Sequence, residues 1–152
     1  MAETYRLTLG RKVLNWLMAA LLRLGGRPNT TYLLTVRGRR TGRARSTPVT
    51  LVEEGGQRWL VAPYGVVGWV RNARAAEQVT LTRGRRSETL RIQEVVDPAE
   101  AAPILKLYAS RVPITRPYFA APPEAPVEAF ADEAVRHPVF RLVGGATHRS
   151  PT

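Results

Sequence analysis

Apolar residues along the chain fall into one helical pattern followed by a series of short runs. Leu9, Val13, Trp16, Leu17, Met18, Ala20, Leu21 and Leu24 recur at helical spacing and predict a helix over Thr8–Arg23. Gly25, Gly26 and Pro28 stop it. From residue 31 the pattern shortens to apolar, β-branched runs bounded by turn residues, the signature of strands. These runs are Thr31–Val36, Val49–Glu53, Arg58–Ala62, Gln78–Thr82, Glu88–Val96 and Pro138–Val143. Glu54-Gly55-Gly56-Gln57 and Arg83-Gly84-Arg85 are tight turns, so the strands they join are antiparallel.

Three helical segments interrupt the strands. Gly68–Ala76 reads as a short helix. Asp97-Pro98-Ala99-Glu100 is a helix start, with Asp at the N-cap, Pro at the first position and Glu at the third; that helix runs to Arg111. Pro126–Arg136 is a third helix, acidic at its start. Between them, Arg111–Ala125 is proline-rich and irregular, a candidate lid or substrate wall. Hairpins dominate and no regular β-α-β alternation occurs, which predicts a mainly β, α+β fold: a six-stranded antiparallel barrel with flanking helices. The whole chain, 1–152, reads as a single domain. Within it, 1–28 is an N-terminal amphipathic helix and linker, 31–143 the barrel core and 144–152 a frayed tail.

Charge adds a constraint on partners. The 152 residues carry 23 Lys and Arg against 12 Asp and Glu, a net charge of +11. Such a chain suits nucleic acid, an anionic membrane surface or an acidic small molecule. Only Lys12 and Lys106 are lysines, a bias that an arginine-rich genome would also produce. The 44% hydrophobic content is enough for a core. Cysteine is absent, which excludes disulfides, thiolate metal sites and a cysteine nucleophile.

The basic residues concentrate in Val36–Pro48, with five arginines and two glycines between two strand runs. The stretch reads as a hairpin connection. Gly38 and Gly42 permit positive φ and exposed N–H groups, and the arginines offer planar forks for phosphate or carboxylate oxygens. A solvated basic turn is the alternative. The apolar run Val13–Leu22 is too short to span a bilayer, which needs ~20 residues, and no small-x-small cleavage site follows it. That helix therefore packs on the domain or rests on a membrane surface. The protein reads as cytoplasmic, with peripheral membrane contact the alternative.

Several common chemistries are missing. There is no G-x-S-x-G elbow, G-x-G-x-x-G loop or G-K-[ST] loop. His137 and His148 are the only histidines, too few for a zinc site, and His137, preceding Pro138, reads as structural. An enzyme built this way supplies binding and leaves the reactivity to a cofactor.

Gly38–Pro48, followed by Val61-Ala62-Pro63-Tyr64-Gly65 and then Gly68-Trp69-Val70-Arg71-Asn72-Ala73-Arg74-Ala75, resembles the deazaflavin-dependent nitroreductase family. The matching order and spacing cover Thr31 to about Arg91, and the Pro138-Val139 strand also fits. The resemblance implies a split β-barrel related to flavin reductases. It also implies coenzyme F-420, an 8-hydroxy-5-deazaflavin with a ribityl phosphate and an acidic polyglutamate tail. By that resemblance Arg40 and Arg45 hold the phosphate, with Arg39, Thr41, Gly42, Ser46 and Thr47 beside them and Pro48 shaping the next strand. Ala62, Pro63, Tyr64 and Gly65 line the ring, and Trp69, Asn72 and Arg74 close the site. Tyr108 matches a tyrosine near the substrate, and Tyr64 and Tyr108 are the candidate proton donors. Pro63 lacks an N–H to offer the ring. Taken alone, Trp69 reads as core packing, and Asn72 and Arg74 as a cap and a solvated face. The implied reaction passes a hydride from the reduced coenzyme to a small hydrophobic acceptor: a quinone, nitro compound or activated alkene. A homo-oligomer is plausible for this barrel class. The alternatives are the same barrel with FMN or haem, or a non-enzymatic nucleic-acid binder. The last is disfavoured because the few aromatics do not interleave with the arginines.

Overall fold

The computed structural model describes residues 31–149, and the helix read over Thr8–Arg23, with its membrane-surface reading, lies outside them. Six strands form the barrel: β1 Thr31–Arg37, β2 Ala44–Glu54, β3 Gln57–Val61, β4 Gln78–Arg83, β5 Arg86–Glu94 and β6 Val139–Arg149. Every pairing is antiparallel, and the sheet closes on itself in the order β1-β2-β3-β6-β5-β4. Among the described residues no helix is long and apolar enough to cross a membrane.

Alternation within the strands builds the interior. Leu34, Val36, Leu51, Leu60, Val79, Leu81, Leu90 and Phe140 point inward and are buried. Helix α1, Gly68–Ala76, adds Val70 and Ala73 to the same cluster, closing the barrel where β1 ends and β4 begins. At β2, β3 and β6 the neighbours of these residues, Val52, Val61 and Val139, face outward into a second core. Helix α2, Pro98–Arg111, covers them with Ala101, Leu105 and Tyr108. Phe130 of the short helix α3, Val127–Ala131, completes this layer. Both faces are buried there, which is why the sequence shows continuous apolar runs instead of alternation.

Three boundaries differ from expectation. The basic connection is shorter than the sequence suggests: Ala44–Pro48 pair in register with Leu33–Arg37, so only residues 38–43 form the loop. Pro48 is accommodated opposite Leu33, where β2 is paired on one side only; β3 meets β2 from Leu51 onward. The expected tail is strand as far as Arg149, because β5 offers pairing partners along its full length past a register shift at Leu90/Arg91. The expected Pro126–Arg136 helix is split, α3 tightening into a 3-10 turn over Asp132–Val135 that turns Glu133 fully inward.

Candidate functional site

The β1–β2 hairpin folds around its two glycines. The Gly38 N–H donates to the Arg43 carbonyl at 2.8 Å and the Gly42 N–H to the Gly38 carbonyl at 2.9 Å. Gly42 has φ +71°, the left-handed region that glycine enters without a Cβ penalty. A Cβ on Gly38 would meet Thr41 Oγ1 at 3.0 Å and the Arg43 carbonyl at 3.1 Å, so the turn is wound too tightly for a side chain there. The Arg43 N–H donates to Thr41 Oγ1 at 3.2 Å.

One contact fastens this loop to α1. Asn72 is 5% exposed, and its Oδ1 accepts from the Arg39 N–H at 3.1 Å and from Arg39 Nη1 at 2.8 Å. Arg39 is thereby occupied. Arg40, Arg43 and Arg45 are exposed, and among the described residues no carboxylate pairs with any of their side chains. Three uncompensated guanidinium groups on a pinned hairpin form a donor set suited to a polyanion.

The segment entering α1 is equally constrained. Ala62 and Pro63 are buried, Tyr64 and Gly65 half-buried. Gly65 has φ +88°, and its N–H reaches the Ala62 carbonyl at 3.3 Å. The Val67 N–H donates to the Gly65 carbonyl at 2.9 Å, leading directly into the helix. Thus the Ala62–Gly65 loop, α1 and the arginine hairpin are mechanically linked: the loop runs into α1, and α1 holds the hairpin through Asn72.

The other residues expected at the site are distributed differently. Trp69 packs on the barrel interior, its ring 6.1 Å from Phe140. Arg74 makes a two-pronged ion pair with Glu94 of β5, at 2.9 and 2.8 Å, and so braces α1 against the sheet. Ser46 pairs its hydroxyl with Thr35 across the β1–β2 ladder at 2.8 Å. Thr47 and Pro48 lie half-buried in β2.

Tyr64 stacks edge-on against Tyr118, centroids 4.7 Å apart, and keeps partial exposure. Tyr108 is 3% exposed inside the second core. Burial first, and the neighbouring Tyr64 second, push its phenol far above the usual range, so it stays protonated. Thr115, whose hydroxyl donates to the Val112 carbonyl at 2.8 Å, lies near the phenol and partly opposes that rise.

Behind the Ala62–Gly65 loop lies a buried cluster that composition and motif spacing do not mark as part of a site. His137 is 2% exposed, stacked on Phe119 at 4.2 Å, with Nδ1 3.3 Å from the Ala62 carbonyl. Glu133, fully buried, accepts from the Ala121 N–H at 2.8 Å and from Arg136 at 2.6 Å. Burial alone would raise the Glu133 carboxyl; these donors and His137 outweigh it and hold it below the ordinary value. For His137 burial dominates and lowers its pKa, against the opposing pull of the Glu133 carboxylate. The available signal was a glutamate and a histidine one helical turn apart, immediately before the Pro138 strand.

Comparison with known proteins agrees with this architecture. The F420H2-dependent reductase FDR-A is 21% identical over 74% of this chain and 93% of its own, with a TM-score of 0.51. A NimC/NimA family protein from Clostridium acetobutylicum is 11% identical, covering 84% of this chain and 85% of its own at a TM-score of 0.52. A FAD-binding protein from Mesorhizobium loti is 12% identical, covering 85% and 90% at a TM-score of 0.50. At these identities the likeness is one of fold, the split barrel of flavin-reductase-like proteins. A search of the curated proteins finds no match. The F420H(2)-dependent quinone reductase family matches residues 10–113, more than half of the chain. With the glycine-wound arginine hairpin and the barrel on which it sits, that match identifies the chain as a member of the F420H(2)-dependent quinone reductase family, and hence as a deazaflavin-dependent reductase that uses coenzyme F-420.

Proposed function

We propose that the protein reduces a quinone at a site framed by the arginine hairpin, the Ala62–Gly65 loop and α1. The observation that carries this reading is the set of unpaired guanidinium groups at Arg40, Arg43 and Arg45 on a hairpin pinned by Asn72. Arg40 and Arg45 would hold the ribityl phosphate, and Arg43 extends the same positive edge toward a polycarboxylate tail. Arg39 orders the hairpin and contributes only its residual donors. The bound coenzyme supplies the hydride.

The chain's own contribution is alignment, exclusion of water and stabilisation of charge on the acceptor. Ala62, Pro63 and Gly65 offer an apolar surface with little side-chain bulk beside the half-buried Val67. Tyr64, partly exposed, would be the phenol that donates to an acceptor oxygen; Tyr108 is enclosed and would act on it only as a neighbour. A flat quinone suits this arrangement because it needs one phenolic donor and an apolar slot. Nitro compounds and activated alkenes share the electrophilic character and are the competing substrates.

Titration of the purified protein with coenzyme F-420, followed by the coenzyme's fluorescence, tests the reading directly. Arg40→Ala and Arg45→Ala should each weaken binding roughly tenfold, consistent with the loss of one charge-assisted contact. Added salt should weaken the wild type more than the variants. Absence of binding at micromolar coenzyme would overturn the assignment. Side-by-side rates with a naphthoquinone, a nitroarene and an enone then rank the acceptors.

A further inference from the structure

We propose that His137 is a positioning residue, setting the Ala62–Gly65 loop through a hydrogen bond from Nδ1 to the Ala62 carbonyl. The inference rests on the assignment of that loop to the coenzyme ring. Two contacts bind the loop to the segment ending at Pro138, and the backbone packs closely beside them. His137 Nδ1 lies 3.3 Å from the Ala62 oxygen. The Ala62 N–H donates to the Pro138 carbonyl at 2.9 Å. A Cβ on Gly65 would stand 3.4 Å from the Arg136 carbonyl, so the loop packs flat against this segment.

The imidazole has little freedom to do otherwise. Phe119 stacks on it with an interplanar angle of 25°, which fixes the ring plane. Glu133, one turn earlier, is itself held by Ala121 and Arg136, and its Oε1 stands 3.9 Å from Nε2. Nε2 has no hydrogen-bond partner among the described residues. A proton on Nδ1 points at the Ala62 carbonyl, while the Tyr118 carbonyl and the Glu133 carboxylate also face the ring. The Ala62 carbonyl also accepts from Gly65, so its direction sets the turn that presents Pro63 and Tyr64. A lost bond there misplaces the loop by fractions of an ångström, a displacement to which hydride transfer is sensitive.

The test has two arms. Nitrogen-15 NMR of the protein without coenzyme reads the His137 tautomer. A neutral ring protonated at Nδ1 is expected, and one protonated at Nε2 overturns the proposal whatever the coenzyme does. Single-turnover rates with reduced coenzyme F-420 and a naphthoquinone are then measured for His137→Leu and His137→Asn. Asn keeps an N–H near the Nδ1 position; Leu keeps bulk without a donor. The Leu variant should transfer hydride about tenfold more slowly while coenzyme affinity stays within about threefold, because the arginine hairpin is untouched. The Asn variant should recover to within about threefold of wild type. A Leu rate within twofold of wild type, or an Asn variant as slow as Leu, would refute the positioning role. Failure of wild type to bind coenzyme would sink the underlying functional reading instead, and the tautomer would still decide the contact.

Discussion

Removing the Asn72 side chain should loosen the hairpin and the site together. Asn72→Ala deletes two hydrogen bonds, one from the Arg39 backbone and one from its guanidinium. A neutral bond contributes about 0.5–1.5 kcal/mol and one to a charged group about 1.5–3. Arg39 is exposed, so water replaces much of the second contact, while the loop N–H is harder to rehydrate. The expected net loss is about 2 kcal/mol, or roughly 4–8 °C in Tm for a domain of this size. Coenzyme affinity should fall about tenfold, because the free hairpin must then be ordered on binding. Asn72→Asp separates the two effects. It keeps the acceptor, so stability should stay within about 1 kcal/mol of wild type, yet its added charge beside the arginine cluster should still weaken the coenzyme. Differential scanning calorimetry and fluorescence titration supply the readouts, and a double-mutant cycle with Arg39→Ala isolates the guanidinium part. An Asn72→Ala protein that melts within 1 °C of wild type and binds coenzyme normally would refute the fastening role.

Further outcomes follow from the titratable groups around the Ala62–Gly65 loop. The folded pKa of His137 lies below its unfolded value, so the unfolded chain takes up a proton first; stability should fall as pH drops below about 6.5. Glu133 is also depressed, so a second loss sets in below about pH 4.3 as its carboxylate protonates, and Glu133→Gln should flatten that acid limb in a pH series of chemical denaturations. Tyr108→Phe removes a buried hydroxyl and should change stability by no more than about 1 kcal/mol while leaving coenzyme binding unchanged. Tyr64→Phe should do the reverse, sparing Tm and slowing quinone reduction about tenfold in stopped-flow assays.

Local chemistry made much of this legible in advance. The Asp97-Pro98 cap set the start of α2, and the Asp97 side chain does accept from the Ala99 N–H at 3.0 Å. Gly55, Gly56 and Gly84 marked two hairpins, and all three adopt positive φ. Closure of the barrel was harder to see, because the pairing of β3 with β6 joins Leu60 to Phe140 across eighty positions of sequence. The arginine hairpin stood out by composition, but which arginine was free did not. Only tertiary contact shows that Arg39 is taken by Asn72 and Arg74 by Glu94. Nor can periodicity reveal that His137 faces Ala62, since the contact spans 75 residues and depends on Glu133 being turned inward.

The position of β6 in the barrel has a kinetic consequence. This strand is hydrogen-bonded to both β3 and β5, so the ring of strands cannot shut until it arrives. On a ribosome, β1 to β5 emerge with two unpaired edges, and the segment that braces the Ala62 turn emerges just ahead of the strand that seals them. Such long-range closure is slow and leaves sheet edges open to mispairing meanwhile. Synthesis thus delivers the arginine hairpin early and the bracing of the Ala62 turn late, so the two halves of the proposed site are completed at opposite ends of translation.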